Sequence, residues 1–257
     1  MHSPDDPAGP PAFEALVADG EAAVFEGWDF GVFGDRLREA AGSWDYRDVV
    51  HGLLPGADAL LDMGTGGGEL LSGLSPRPGD TCATESYEPN VAVARARLEP
   101  LGIAVSAIGD DSRLPFPDAR FDLVINRHES FDAREVRRIL RPGGVFVTQQ
   151  VGGRDLAGLN EALGAPPHDY AAWDLAAAAG EVEAAGLRVL DRREELIPAA
   201  FSDVGALVWF LRITPWQVPG FTVEGYRDRL LGLHARMASG TPLEVRAHRF
   251  LVVAERG

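Results

Sequence analysis

From residue 57 onward, short apolar runs alternate with stretches whose apolar positions recur at helical spacing. Ala57–Met63, Thr81–Glu85, Ile103–Ile108, Phe121–Asn126, Gly144–Gln150, Leu187–Leu196 and His248–Ala254 predict strands. Glu69–Leu74, Pro89–Leu98, Ala133–Leu140, Leu156–Leu163 and Trp173–Ala185 predict helices between them. Nearly continuous apolar strands separated by amphipathic helices predict an α/β fold whose parallel sheet is covered on both faces. Arg141-Pro142-Gly143-Gly144 predicts a helix stop and a tight turn into the fifth strand. Between Pro198 and Pro242 the alternation lapses, and Phe201, Trp209, Phe210, Trp216, Phe221 and Tyr226 predict a helical insertion.

The N-terminal part follows no such alternation. Residues 1–12 read as a disordered Pro/Asp-rich tail, and Phe13–Phe25 fits a helical face only loosely. Aromatic segments follow at Trp28–Phe33 and around Trp44 and Tyr46, with a helix expected over Tyr46–Leu54 before Pro55-Gly56. The expected organisation is a tail and helical cap over 1–56, then one domain over 57–257 with an insertion at about 198–243.

The chemistry concentrates where the first predicted strand ends, in Leu61-Asp62-Met63-Gly64-Thr65-Gly66-Gly67-Gly68. Glycines there permit positive φ and let a ligand approach the backbone without a Cβ in the way. A nucleotide-like ligand is expected, and three acids narrow its identity. Glu85 ends the second strand, where a carboxylate can take both ribose hydroxyls as donors, as in NAD or S-adenosylmethionine (SAM). The third strand ends in Gly109-Asp110-Asp111-Ser112, followed by Leu114-Pro115-Phe116, where an acid can accept from an adenine amine. Asp62 stands before the loop, where it would repel a pyrophosphate but suits a cationic amino-acid moiety.

These residues resemble the class I SAM-dependent methyltransferases. The Asp62–Gly68 run resembles that family's first motif and Glu85 its acidic ribose ligand. Gly109–Asp111 with Leu114–Phe116 resembles the adenine segment, and Leu140–Gly144 the turn before the fifth strand. The likeness covers roughly residues 57–150. It implies a Rossmann-like, doubly wound sheet of seven strands, mostly parallel with the last one antiparallel. It also implies SAM as cofactor, leaving S-adenosylhomocysteine. Gly64, Thr65 and Gly66 would line the cofactor, Asp62 would meet its amino-acid moiety, Glu85 its ribose, and Asp110 and Asp111 its adenine. Ser86, Ser112 and Asn126 are further cofactor candidates, the two serines serving equally as turn caps.

Methyl transfer needs a nucleophile placed close to the methyl carbon and water kept out. The tip of the fourth predicted strand, Asn126-Arg127-His128-Glu129-Ser130, is the expected reaction centre. His128 is the candidate general base, with Glu129 orienting it or holding a substrate amine. Arg127 reads as a structural ion pair or a substrate contact, and Gln149 as a strand-end polar residue or a substrate hydrogen-bonder. Substrate walls are expected from Trp28, Phe30, Trp44, Trp209 and Trp216. No metal is expected.

Composition bounds the partners. A formal charge of −15, with all 24 basic residues arginine, disfavours nucleic acid and points to a small neutral or cationic acceptor. A lone cysteine, Cys82, excludes a disulfide framework. The start lacks the pattern of a secretory signal, and no run is long enough to span a membrane. The expectation is a cytoplasmic monomer or homodimer that methylates oxygen or nitrogen of a small molecule. An RNA or protein methyltransferase and a catalytically silent SAM-binding module are the alternatives.

Overall fold

The computed structural model describes residues 12–24, 30–109 and 113–257. The first helix, α1 (Phe13–Ala22), is followed by a 3-10 segment at Phe30–Arg36 and a short strand, β1 (Leu37–Glu39). After α2 (Tyr46–Leu53) come β2 (Ala59–Met63), α3 (Glu69–Ser72), β3 (Asp80–Glu85), α4 (Glu88–Leu98) and β4 (Ala104–Ala107). Then follow β5 (Phe121–Arg127), α5 (Ala133–Ile139), β6 (Leu140–Val151), α6 (Ala157–Leu163) and α7 (Leu175–Ala184). The chain closes with β7 (Leu187–Phe201), α8 (Val204–Ile213), α9 (Arg227–Ala238) and β8 (Leu243–Arg256). Aspartates start four of the helices. Asp45, Asp132, Asp174 and Asp203 each accept a backbone N–H from the first turn of α2, α5, α7 and α8. Each such cap stabilises its helix by about 1 kcal/mol.

The chain divides into two compact units. One comprises residues 42–153, 171–196 and 248–257 and holds most of the sheet. There β5 pairs in parallel with β2 and β6, β2 with β3, and β3 with β4, whereas β6 pairs antiparallel with β8. Its two faces are both buried. Leu61, Val124, Phe146 and Val252 pack with α5 and α7 on one side. Leu60, Ile125, Val147 and Leu251 pack with α2 and α4 on the other. Asp62, Glu85, Arg127 and Gln149 each lie two residues beyond a second-face residue of the same strand (Leu60, Ala83, Ile125 and Val147), so they belong to that face at the C-terminal ends of the strands.

The other unit comprises residues up to 41, 154–170 and 197–247. Here α1, α6, α8 and α9 pack around Phe33, Leu159, Phe201, Val208 and Leu230. β1 pairs antiparallel with the end of β7, Leu37 opposite Phe201.

Among the described residues the sheet has eight strands in the order β1-β7-β8-β6-β5-β2-β3-β4, not the seven expected. The additional strand is β1, whose three residues are too few to carry an alternation signal. β7 runs past Pro198, which reads as a break; the proline lacks a donor, but its carbonyl still accepts from Ala40 N–H at 2.9 Å. The Arg141–Gly144 turn lies inside β6 as an irregularity, with the register stepping from Phe121–Leu140 to Leu123–Val145. The compact units also cross the boundary drawn at residue 56: residues 42–56 belong to the unit with the parallel strands, and 154–170 to the other. The expected tail lies, up to residue 11, outside the described residues. Among the described residues no helix is long and apolar enough to cross a membrane.

Candidate active site

The loop after β2 turns on three glycines of positive φ, Gly64 (+65°), Gly66 (+62°) and Gly68 (+80°). At Gly66 the space a Cβ would occupy is open, with no atom within 4 Å. The Gly66 N–H donates to Glu85 Oε2 at 2.7 Å, and Tyr87 N–H donates to Oε1 at 2.7 Å. Glu85 is 3% exposed, and a carboxylate oxygen can accept more than one hydrogen bond. Thr65 ties the loop down twice. Its N–H donates to the Thr84 carbonyl at 2.9 Å, and its hydroxyl donates to Asp62 Oδ2 at 2.7 Å.

Asp62 is buried, and desolvation raises its pKa from 3.8 to about 7, helped by the Glu85 charge and opposed by the Thr65 hydrogen bond and Arg127. A carboxyl in that condition ionises fully once a cation is placed beside it. Glu129 adds a third acid. It accepts from Ser86 Oγ at 3.4 Å, and its Cβ and Cγ stand 2.4 Å from where a Cβ on Gly64 would lie. This set suits a ligand with a cationic end and vicinal hydroxyls.

At the tip of β5, Asn126 is fully buried between Met63 of β2 and Thr148 of β6. Its Oδ1 accepts from Thr148 Oγ1 at 2.8 Å and Gln150 Nε2 at 2.7 Å. Its Nδ2 has no hydrogen-bond partner. With Oδ1 committed to β6, the planar amide turns this donor away from β6. An orphaned donor at this depth costs about 1–3 kcal/mol unless a ligand meets it.

The next residues carry the chain over the strand end. His128 adopts φ +64°, a left-handed conformation uncommon outside glycine, while its N–H donates to the Gln149 carbonyl at 2.8 Å. The Gln149 amide fixes the state of the ring. Trp44 Nε1 can only donate, and it does so to Gln149 Oε1 at 2.9 Å. Gln149 Nε2 therefore faces His128 Nε2, at 3.2 Å, and donates to it. The imidazole proton is thus on Nδ1. Desolvation, then the Arg249 and Arg127 charges, lowers the His128 pKa from 6.5 to about 3. His128 is exposed as a residue, so the direction rests on the two nearby cations, Arg249 and Arg127: the imidazole is neutral. Arg127 also lies over the Tyr46 ring at 6.0 Å.

The structure thus brings together Asp62, Gly64, Thr65, Gly66, Glu85, Ser86, Asn126, Glu129, Gln149, Trp44, Arg127 and His128. Asp110, Asp111, Ser112 and Trp28 lie outside the described residues, as does the Phe30 side chain. Trp209 is buried in the core of the other unit against Phe33, ring centroids 4.2 Å apart, and Trp216 there is 46% exposed. Sequence reasoning missed two members, Tyr46 and Arg249. Tyr46 reads as a helix start, yet its hydroxyl bonds the backbone N and O of Asn126, both at 3.0 Å. Arg249 follows Arg246 and His248 along β8, and only the β6–β8 register places it opposite Val151.

A family model described as "Methyltransferase domain" matches residues 61–148. Among curated proteins, the ubiquinone/menaquinone biosynthesis C-methyltransferase UbiE of Laribacter hongkongensis is 36% identical over 104 residues, covering 36% of this chain and 42% of that protein. The chain therefore spans less than half the length of that relative. Among solved structures, the YcgJ protein of Bacillus subtilis aligns with a TM-score of 0.59 at 19% identity, covering 82% of this chain and 97% of that one. The [4+2]-cyclase SpnF aligns with a TM-score of 0.53 at 19% identity, covering 95% and 91%. At these identities both likenesses establish the fold alone.

Proposed function

We propose, from the premise that this chain belongs to the class I SAM-dependent methyltransferases, that it moves the methyl group of SAM to a small-molecule acceptor held at the tips of β5 and β6. The observation that carries this reading is the pairing of buried Asp62 and Glu85 across a glycine loop left open above Gly66. SAM has an ammonium for Asp62, ribose hydroxyls for Glu85 and a carboxylate for donors such as the unpaired Asn126 Nδ2, so the residues present fit it. Asp110 and Asp111 remain the proposed adenine contacts.

When bound, the cofactor supplies an electrophilic methyl on a sulfonium. The chain positions and desolvates the nucleophile rather than deprotonating it. His128 is neutral, but its Nε2 lone pair already accepts from Gln149 and its basicity is low. It serves as a donor through Nδ1–H, which revises the general-base role expected from sequence. The acceptor atom accordingly arrives with its electron pair available, as in an ionised oxygen, a free amine or the carbon of an ionised conjugated system. Carbon joins oxygen and nitrogen here because the curated relatives are named C-methyltransferases. The cytoplasmic setting and the monomeric or dimeric state are part of the same proposal.

Titration calorimetry of SAM tests the reading. The wild-type chain should bind one equivalent saturably, and Glu85→Ala should lose binding with its circular dichroism unchanged. A wild-type chain that binds no SAM overturns it.

A further inference from the structure

The connection between β4 and β5 is held by α5 rather than by a strand. Residues 113–118 belong to no described helix or strand, and Pro115 and Pro117 have no N–H to give. Their anchors come from two side chains one helical turn apart. Glu135 Oε1 accepts the Leu114 N–H at 2.6 Å. Arg138 Nη2 donates to the Leu114 carbonyl at 3.1 Å, and Nη1 donates to the Phe116 carbonyl and to Asp118 Oδ1, both at 2.8 Å. The two side chains also lock each other. Arg138 Nε donates to Glu135 Oε2 at 2.8 Å and Nη2 to Oε1 at 2.5 Å. That fork, with the Leu114 N–H, holds the Glu135 carboxyl below its ordinary range against the effect of burial. Such a pair is weak evidence of stability by itself; what it fixes is where Leu114 lies. At the other end of the connection, Ile108 N–H donates to the Glu85 carbonyl at 3.0 Å. The chain is therefore tied to the acid of β3 at Ile108 and to α5 at Leu114.

Building on the methyltransferase reading, in which Asp110 and Asp111 meet the adenine, we propose that Glu135 and Arg138 are positioning residues for the adenine end of the cofactor. Neither contacts the ligand. They hold Leu114 so that the acids just ahead of it in the chain face the exocyclic amine. This makes them determinants of base selectivity. Adenine presents a donor amine, which an acid accepts, whereas hypoxanthine presents a carbonyl there, which an acid repels. That difference depends on where the acid stands. Releasing Leu114 removes adenine's advantage and leaves the ribose and amino-acid contacts, which come from β3 and β2, in place.

The test compares S-adenosylhomocysteine with S-inosylhomocysteine by titration calorimetry on the full chain at pH 7. The wild type should prefer the adenine compound by roughly tenfold or more, as for a hydrogen bond to a charged group left unmade. Glu135→Ala and Arg138→Ala should bring that ratio close to one by weakening the adenine compound alone. Glu135→Gln, which keeps an oxygen for the Leu114 N–H, should give an intermediate ratio, and it carries the test if Glu135→Ala does not fold. Asp174→Ala, which removes the cap of α7, is the control for lost stability and should leave the ratio unchanged. A wild type that binds both compounds equally, folded variants that keep the wild-type ratio, or variants that weaken both compounds alike would each overturn the inference. In all three cases S-adenosylhomocysteine still binds the wild type and the cofactor reading stands; a wild type that binds neither compound overturns both.

Discussion

The side chain of Glu129 lies over Gly64, so close that a β-carbon on residue 64 would stand 2.4 Å from its Cβ and Cγ. The tip of β5 thereby closes on the glycine loop after β2, and only a glycine lets the two meet. Gly64→Ala combines this clash with a φ of +65°, which costs an L-residue about 1–2 kcal/mol by itself. We expect a lowered melting temperature and SAM affinity reduced by roughly tenfold or more. Wild-type values for both by calorimetry would refute the close approach.

Asp62 makes stability depend on pH in an unusual direction. Its folded pKa, about 7, lies above the ordinary 3.8, so the folded chain holds a proton that the unfolded chain has released. Stability is then lost as pH rises from about 4 to about 7, by on the order of a few kcal/mol. Asp62→Asn should remove this slope, so the difference between variant and wild type in denaturant midpoint should widen across that interval. SAM binding near pH 6 should also release a proton, read from calorimetry in buffers of different ionisation enthalpy.

His128 contributes the opposite slope. Its folded pKa lies below 6.5, so protonation favours the unfolded chain and stability falls as pH drops below about 6.5. For catalysis, His128→Gln should reduce kcat by about tenfold rather than the 10²–10⁴-fold of a lost base. The pH profile of kcat/KM between 5 and 8 should keep its shape. A histidine-type ionisation that vanishes in the variant would restore His128 as the base.

Asn126 is the acceptor for both Thr148 and Gln150. Asn126→Ala leaves two buried donors without that partner, at about 1–3 kcal/mol. Chemical denaturation should report this loss, and SAM binding should weaken in parallel if Nδ2 meets the cofactor.

The glycine loop and the acids beside it were legible in the sequence as neighbours because these parts are local. Asp62 leads directly into the glycines, and Glu85 ends the next apolar run, so strand periodicity alone sets them side by side at the strand tips. The helices and the antiparallel closing strand follow from the same alternation. The arrangement at the tips of β5 and β6 was not legible. The neutral state of His128 depends on a glutamine and a tryptophan from separate elements, and β1 pairs only because a distant strand offers it an edge. Arg127 and Arg249 stand more than a hundred residues apart in the chain and come to one face of the sheet only because β8 pairs beside β6. Local pattern decides which residues can reach the end of a strand; register between strands distant in sequence decides which charges meet there.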